Sequence, residues 1–433
     1  MFSMEEEKME SQFQAIILAG YGNRMYPLTE ESNVPKGLLP IANHPMVYYS
    51  LQWLEKSEIS NVIIACYPQA RHNISQYVHE VYASAALKIQ VLEVPENSGS
   101  ADALRHLKSN ITNDFILLSC DLITDIPPNL LLRAHRSQNR TMTALFYDAS
   151  MLESSDTKSS KNDDGEIIGI HEKSSTLLLT VSKADLRHDD LEVRTSILSK
   201  FPMVRLYSQL RDAHLYIFKK WVINLIAKNT DLVSVKADLI PLLIECQHRK
   251  LVYDREGIEE YLNETPSDIF HKARLLSHSG TQNSQGIVCT AFVHKQGFTA
   301  RANTIGSYCE INKTVVKNLQ APVPTTAEIN PKTQIGSDCL VGDGSKIGER
   351  CSIKRSVLGN HVQIGKNCKI TNSIIMDYAC IEDGVKLDSC VICKSGKVST
   401  GSELKDCEVG GKFIVAKDTR AKSEQLVQDM GDE

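Results

Sequence analysis

The feature that most constrains this chain is a 17-residue period in its aliphatic side chains beyond residue 329. Val341, Leu358, Ile375, Ile392 and Val409 fall 17 apart, as do Ile347, Ile364, Ile381 and Val398, and as do Ile353, Ile370, Leu387 and Leu404; within each unit the steps are six, six and five. An α-helix at about 3.6 residues per turn would scatter these positions around its axis, and a sandwich strand would need alternation over a longer run. One inward aliphatic per side instead fits a three-sided coil whose short strands stack on those of the next coil. Small residues such as Cys339, Ser345, Cys351 and Cys368 suit its crowded interior.

This pattern, with glycine often following the aliphatic as in Ile347-Gly348 and Ile364-Gly365, resembles the hexapeptide left-handed parallel β-helix. Such a solenoid leaves strand edges open at its ends and presents three flat sides, so association with other chains is expected. Some proteins of this class are acyltransferases with an active-site histidine. Here His361 is the only histidine after residue 330, and it reads as structural. Of twelve cysteines, seven lie beyond residue 330 at repeat positions, which fits reduced structural thiols better than disulfides. The CxxC of Cys390 and Cys393 lacks a second pair or a nearby histidine cluster, so it reads as two repeat positions with no metal bound.

A chain of 433 residues exceeds one ordinary core. Two domains are expected, at 12–317 and 326–417. A net charge of -5 lacks the basic excess that nucleic-acid binding favours. The first nine residues are acidic and polar, and no run approaches about 18 uninterrupted apolar residues, so a cytosolic chain without membrane contact is expected.

From residue 12 to about 150 the sequence alternates strands and helices in α/β order, which predicts a parallel sheet with ligand chemistry at the carboxyl ends of its strands. Helices are expected over 45–57, 72–82, 100–109 and 128–136. LAGYGNRMYPLT followed by VPKGLLP puts Gly20 and Gly22 just past the first strand, with Arg24 and Lys36 close by in sequence. Glycine lets backbone amides approach a phosphate, and the cations neutralise its charge. The string resembles the LAGGxGTRLxPLT…PK signature of sugar-1-phosphate nucleotidyltransferases. Further matches follow in order: PENSGSADAL with P-x-GTAGAL, DFILLSCD with a strand ending in GD at Asp121, Glu172-Lys173 with EKP, and DAHLYIF with NAGIYxF. The implied fold is a Rossmann-like nucleotidyltransferase-like α/β domain followed by the left-handed β-helix.

In enzymes of that family two aspartates hold Mg²⁺, which with the loop cations stabilises charge on the attacked phosphate. This chain departs from the pattern. Its loop is one residue shorter, Cys120 replaces the glycine before Asp121, Ser174 replaces the proline of EKP, and TARANTIGSYCEIN aligned with WxDVGTxxSYWEAN puts Arg301 in place of the second metal aspartate. A cation there repels Mg²⁺. No catalytic residue, cofactor or metal is therefore assigned, and Gly20, Gly22, Arg24, Lys36, Asp121 and Lys173 are read as a vestigial nucleotide pocket. A plainer reading makes the glycines turn residues, Lys36 a solvated lysine and Asp121 the cap of a buried strand.

Among relatives, SCDLITDIP, DAHLYIFKKWV, DLIPLLI, SIKRSVLG and ITNSIIM resemble the gamma-subunit family of eukaryotic translation initiation factor 2B. The resemblance implies a noncatalytic partner of the epsilon subunit and the other 2B subunits, in the exchange factor that releases GDP from the GTPase initiation factor 2. Epsilon subunits carry a further helical domain, for which the residues after the last coil leave no room. The alternative is an active enzyme of the mannose-1-phosphate guanylyltransferase type, with Arg24 and Lys36 at the triphosphate, Asp121 on Mg²⁺ and Lys173 on the sugar phosphate. Between these lies a regulatory pocket that still binds a nucleotide or sugar nucleotide. The polar stretches from Ser154 and Ser277 read as surface loops.

Overall fold

The computed structural model describes residues 13–30, 33–137, 140–148, 165–186, 191–264, 286–319 and 324–427. The polar stretches beginning at Ser154 and Ser277 lie almost wholly outside them. In space the chain divides into two compact units, Met1–Leu18 with Leu51–Ala300, and Ala19–Ser50 with Arg301–Glu433.

The first unit is built on a ten-stranded sheet. Its strands are β1 Phe13–Ala19, β2 Asn61–Cys66, β3 Lys88–Glu93, β4 Asp114–Ser119, β6 Met142–Asp148, β7 Glu166–His171, β8 Thr176–Ser182, β9 Val204–Tyr207, β10 Leu210–Phe218 and β11 Cys289–His294. They lie in the order β9-β7-β8-β11-β6-β10-β4-β1-β2-β3. Short strands β5 Leu122–Thr124 and β12 Thr299–Arg301 pair separately. β1, FQAIILA, is buried almost throughout and β4 is buried along its middle, as central parallel strands between two layers must be. Edge strand β3 alternates exposed and half-buried residues.

The parallel order expected over residues 12–150 is present, and strands from later sequence add antiparallel neighbours to it. β1, β2, β3 and β4 are parallel, but β10 inserts antiparallel between β4 and β6, and β7, β8 and β9 form an antiparallel run. The antiparallel strands come from later sequence and enter a sheet whose earlier strands all run one way. In β10 the register shifts between Asp212 and Tyr216, where His214 takes a left-handed φ of 49° and the Asp212 carboxylate accepts the His214 N–H at 2.8 Å. The family motif has glycine at this position. Histidine adopts the same backbone with the aspartate's hydrogen bond in support.

Helices α1 Met46–Glu55, α2 Pro68–Gln76, α3 Ser100–His106 and α4 Pro128–Arg136 fall where expected, α2 beginning a turn earlier and continuing as a wider helical turn to Tyr82. α3 begins at Gly99, whose N–H is accepted by Asp102 at 3.1 Å. A Cβ on Gly99 would clash with the Val233 carbonyl oxygen and lie 2.9 Å from the Val233 carbonyl carbon, so this motif glycine permits close backbone packing.

The second unit contains the left-handed β-helix, with three parallel six-stranded sheets as its flanks. The strand register is the sequence period itself. Val341, Leu358, Ile375, Ile392 and Val409 are successive partners, Ile347 to Val398 form the second row and Ile353 to Leu404 the third. Corners repeat at the same interval. Gly344, His361, Tyr378, Ser395 and Lys412 all have positive φ, as do Arg355, Asn372, Ser389, Asp406 and Ser423. His361 is one of these corner residues, its ring stacked on Tyr378 one coil later at 5.2 Å. Small interior groups close polar gaps: Ser345 Oγ donates to Gly359 O at 2.9 Å, and Cys351 Sγ to Gly365 O at 3.0 Å. All twelve cysteines are free thiols. Burial pushes Cys390 and Cys393 up to about 12, so both stay protonated at neutral pH.

Candidate functional site

Residues 19–50, which carry the glycine-bearing motif, belong to the β-helix unit. Gly20 is exposed and a Cβ there would meet nothing within 4 Å, so no steric demand fixes it. Gly22 differs: its φ is +78°, and a Cβ would meet the Lys36 Cδ at 2.8 Å. Its carbonyl accepts the Met25 N–H at 2.8 Å and Thr29 Oγ1 at 3.1 Å, which closes a tight turn over the buried Met25 and Leu28. Arg24 is on that turn and exposed.

The solvated reading of Lys36 is overturned. Only 7% exposed, the side chain passes Gly22 and donates from Nζ to Asn303 Oδ1 at 2.9 Å. Gly22, Lys36 and Asn303 thus form one local cluster. Asn303 takes the place of the glycine in the aligned WxDVGT pattern, two residues after Arg301 at the end of β12.

The SYCEIN motif lies in the first turns of helix α5 Ile305–Leu319. Its Tyr308 and Asn312 are fully buried and serve the same segment: Tyr308 Oη donates to Pro40 O at 2.5 Å, and Asn312 Oδ1 accepts the Ala42 N–H at 2.9 Å. Ala42 and Asn43 both have positive φ, and the Asn312 amide holds this two-residue turn. Asn43 Nδ2 then donates to Leu358 O at 2.9 Å, and Asn33 Oδ1 accepts the Lys394 N–H at 3.2 Å, both on the β-helix. Sequence reasoning identified SYCEIN as a motif but missed Asn33 and Asn43.

In the other unit Asp121 follows β4 and is fully buried beside the buried Cys120, whose N–H donates to Leu18 O at 3.1 Å. Lys173 lies elsewhere, exposed in the turn between β7 and β8. In that turn Ser174, which stands for the family proline, bonds His171 Nδ1 at 2.7 Å and Thr176 Oγ1 at 2.6 Å, so it keeps the chain turned without a ring. A buried acid that the pocket reading omitted is Asp212. Burial raises its carboxyl to about 6 although Lys236 and the Tyr216 hydroxyl oppose the shift. Among the described residues no group of three or more His, Cys, Asp and Glu side chains is placed to hold a metal ion. The donor set for the family's Mg²⁺ keeps one aspartate, Asp121, with Arg301 aligned where the second belongs, and so does not fit the two-carboxylate site.

Residues 14–258 match the nucleotidyl transferase family, more than half of the chain. Residues 323–421 match the LbH domain described for the epsilon subunit of eIF2B. The translation initiation factor eIF2B subunit gamma of Schizosaccharomyces pombe is 36% identical over 356 residues, covering 81% of this chain and 76% of that protein. The chain belongs to the eIF2B gamma-subunit family. The gamma subunit of Dictyostelium discoideum is 29% identical over 392 residues, 81% of this chain and 88% of its own. The epsilon subunit of S. pombe is 33% identical over 155 residues, 33% of this chain and 22% of its own. Similarity to the gamma subunits therefore extends much further along the chain than similarity to epsilon. No helix among the described residues is long and apolar enough to cross a membrane.

Proposed function

We propose that this chain is the noncatalytic scaffold subunit of the eIF2B guanine-nucleotide exchange factor, working with an epsilon subunit on the GTPase initiation factor 2 in the cytosol. The observation that carries this reading is the likeness to curated gamma subunits across four-fifths of the chain. The donor set supports the absence of nucleotidyl transfer, because Arg301 in the aligned metal position disfavours Mg²⁺ and Lys36 is engaged by Asn303. Gly20, Gly22, Arg24, Lys36, Asp121 and Lys173 are, in this proposal, retained positions of an ancestral nucleotide signature, within a nucleotidyltransferase-like domain at 12–317 and a β-helix domain at 326–417.

An exchange factor accelerates GDP release by binding the nucleotide-free GTPase more tightly than the loaded one. A scaffold subunit adds to that difference by binding alone, without touching a phosphate. The test is to copurify the tagged full chain with its natural partners and measure GDP release from initiation factor 2, beside the isolated chain given GTP, Mg²⁺ and mannose 1-phosphate. Release that appears only with an epsilon-type subunit present, and no sugar nucleotide from the isolated chain, is expected. Formation of GDP-mannose by the isolated chain would sink the noncatalytic reading.

A further inference from the structure

The three flanks of the β-helix carry different outward side chains. On the flank of Leu340–Val341, Val357–Leu358, Ile374–Ile375 and Val391–Ile392, outward Leu340, Val357, Ile374 and Val391 are buried, and residues 33–43 of the same unit are bonded to the coils there. The flank beginning Glu328–Ile329 and Lys346–Ile347 presents a mixture that ends on exposed Ile414.

The remaining flank, Ser352–Lys354, Lys369–Thr371, Lys386–Asp388, Glu403–Lys405 and Arg420–Lys422, is exposed and basic. Every one of these five successive coils carries at least one cation: Lys354, Lys369, Lys386, Lys405, and Arg420 with Lys422. A shallow groove of about 670 Å³ runs along it, over the last four coils. Its acids are Asp388, Glu403 and, at the rim, Glu424. Five cations against three carboxylates in the groove, with Lys354 on the coil before it, make this a positive face on a chain whose formal net charge is -5.

The two central acids hold the cations in place. Glu403 lies 2.6 Å from Lys386 one coil before it and 3.9 Å from Arg420 one coil after, and Asp388 is 3.9 Å from Lys405. Lys354, Lys369 and Lys422 have no ion pair among the described residues. The face therefore combines a braced centre with uncompensated charge at both ends, an arrangement that loses little side-chain freedom when an anionic partner arrives.

We infer that this flank docks an acidic α-helix of a partner polypeptide. Stacked strands recur about every 4.8 Å, and an α-helix advances about 5.4 Å per turn. A helix lying along the solenoid axis with one carboxylate per turn would thus meet one cation per coil, and about 14 residues would span the five coils. The composition favours protein over nucleic acid. The groove has no aromatic side chain on which a base could stack, and its central carboxylates face where a phosphate chain would run. This inference is independent of the exchange-factor reading.

The test uses the full chain and three fluorescent probes: a 16-residue helical peptide with its glutamates on one face, a peptide of the same composition with them spread around the helix, and a 16-nucleotide single-stranded RNA. Anisotropy titrations at low salt are expected to show the one-faced peptide bound about tenfold more tightly than the scrambled one. Lys354→Glu/Lys369→Glu/Lys422→Glu should abolish that preference, while Lys412→Glu at a corner leaves it intact. All three reversed lysines are exposed, and an unchanged melting curve would confirm that the fold survives. Equal binding of the two peptides, indifference to the triple reversal, or tighter binding of the RNA with the same sensitivity would each overturn the proposal.

Discussion

Replacing Asp212 by Asn gives the sharpest test of the first unit's electrostatics. The carboxyl is 8% exposed in β10 and accepts hydrogen bonds from Tyr216 Oη at 2.5 Å and from the His214 N–H at 2.8 Å. Desolvation dominates and raises it from 3.8 to about 6 against the opposing charge of Lys236, which is also paired with Glu166. A folded pKa above the unfolded one means that the native state holds the extra proton, so this group's contribution to stability falls as pH rises from about 4 through 6 and then levels off. About two units correspond to about 3 kcal/mol of penalty at pH 7. Asparagine removes the penalty but cannot accept both hydrogen bonds on its single oxygen, which costs about 1 kcal/mol. Urea unfolding from pH 3.5 to 7.5 should find Asp212→Asn near or below wild type at the acid end and about 1–3 kcal/mol more stable at pH 7. The comparison must be made between variant and wild type, since buried His135, pushed down to about 3 by desolvation, contributes a slope of opposite sign. A difference that stays flat, or that shrinks with rising pH, would mean that Lys236 stabilises the carboxylate and that the desolvation argument is wrong.

The other predictions rest on packing and on charge. His135→Gln should flatten the loss of stability that wild type shows as pH falls from about 6.5 toward 3, measured in the same titration, because a histidine with a depressed folded pKa takes up its proton on unfolding. Gly99→Ala forces the backbone at Val233 away and strains the Ala101 N–H to Val233 O bond of 2.9 Å; a loss of about 2–4 kcal/mol is expected in chemical denaturation. Ile370→Ala empties a fully buried rung between Ile353 and Leu387 and should cost about 2–5 kcal/mol, whereas Ile370→Val should cost about 1 kcal/mol. Arg301→Asp should raise Mg²⁺ affinity by calorimetry if the motif alignment is right; no change in affinity would refute it.

What the sequence disclosed depended on whether a residue's partner was local or periodic. The β-helix was readable to the rung because Val341, Leu358 and Ile375 repeat at the distance that separates coils. Helix α4 was readable to its ends because Pro128 opens it and its apolar stripe is strong. The insertion of β10 between β4 and β6 was not, since LRDAHLYIF reads as a buried strand whichever neighbours it takes. Lys36 was misread for a similar reason: its partner Asn303 lies 267 residues away. The motif residues Tyr308 and Asn312 stood out in the sequence, but their service to the turn at 40–43 becomes visible only when the two segments are adjacent.

The assignment of residues 19–50 to the β-helix unit changes what separable means for this protein. The chain leaves the first unit after Leu18, returns at Leu51 and departs again after Ala300, so the units are joined through three peptide links rather than one tether. A cut near residue 320 would leave the glycine-bearing segment without Leu358 and Lys394 to bond Asn43 and Asn33. The β-helix expressed alone would in turn expose the aliphatic row from Leu340 to Val391, together with the backbone groups that those asparagines meet. Neither fragment is a module in the sense of something that can be lent to another protein: the glycine-bearing segment and the solenoid share hydrogen bonds, and a cut between them leaves both sides unsatisfied.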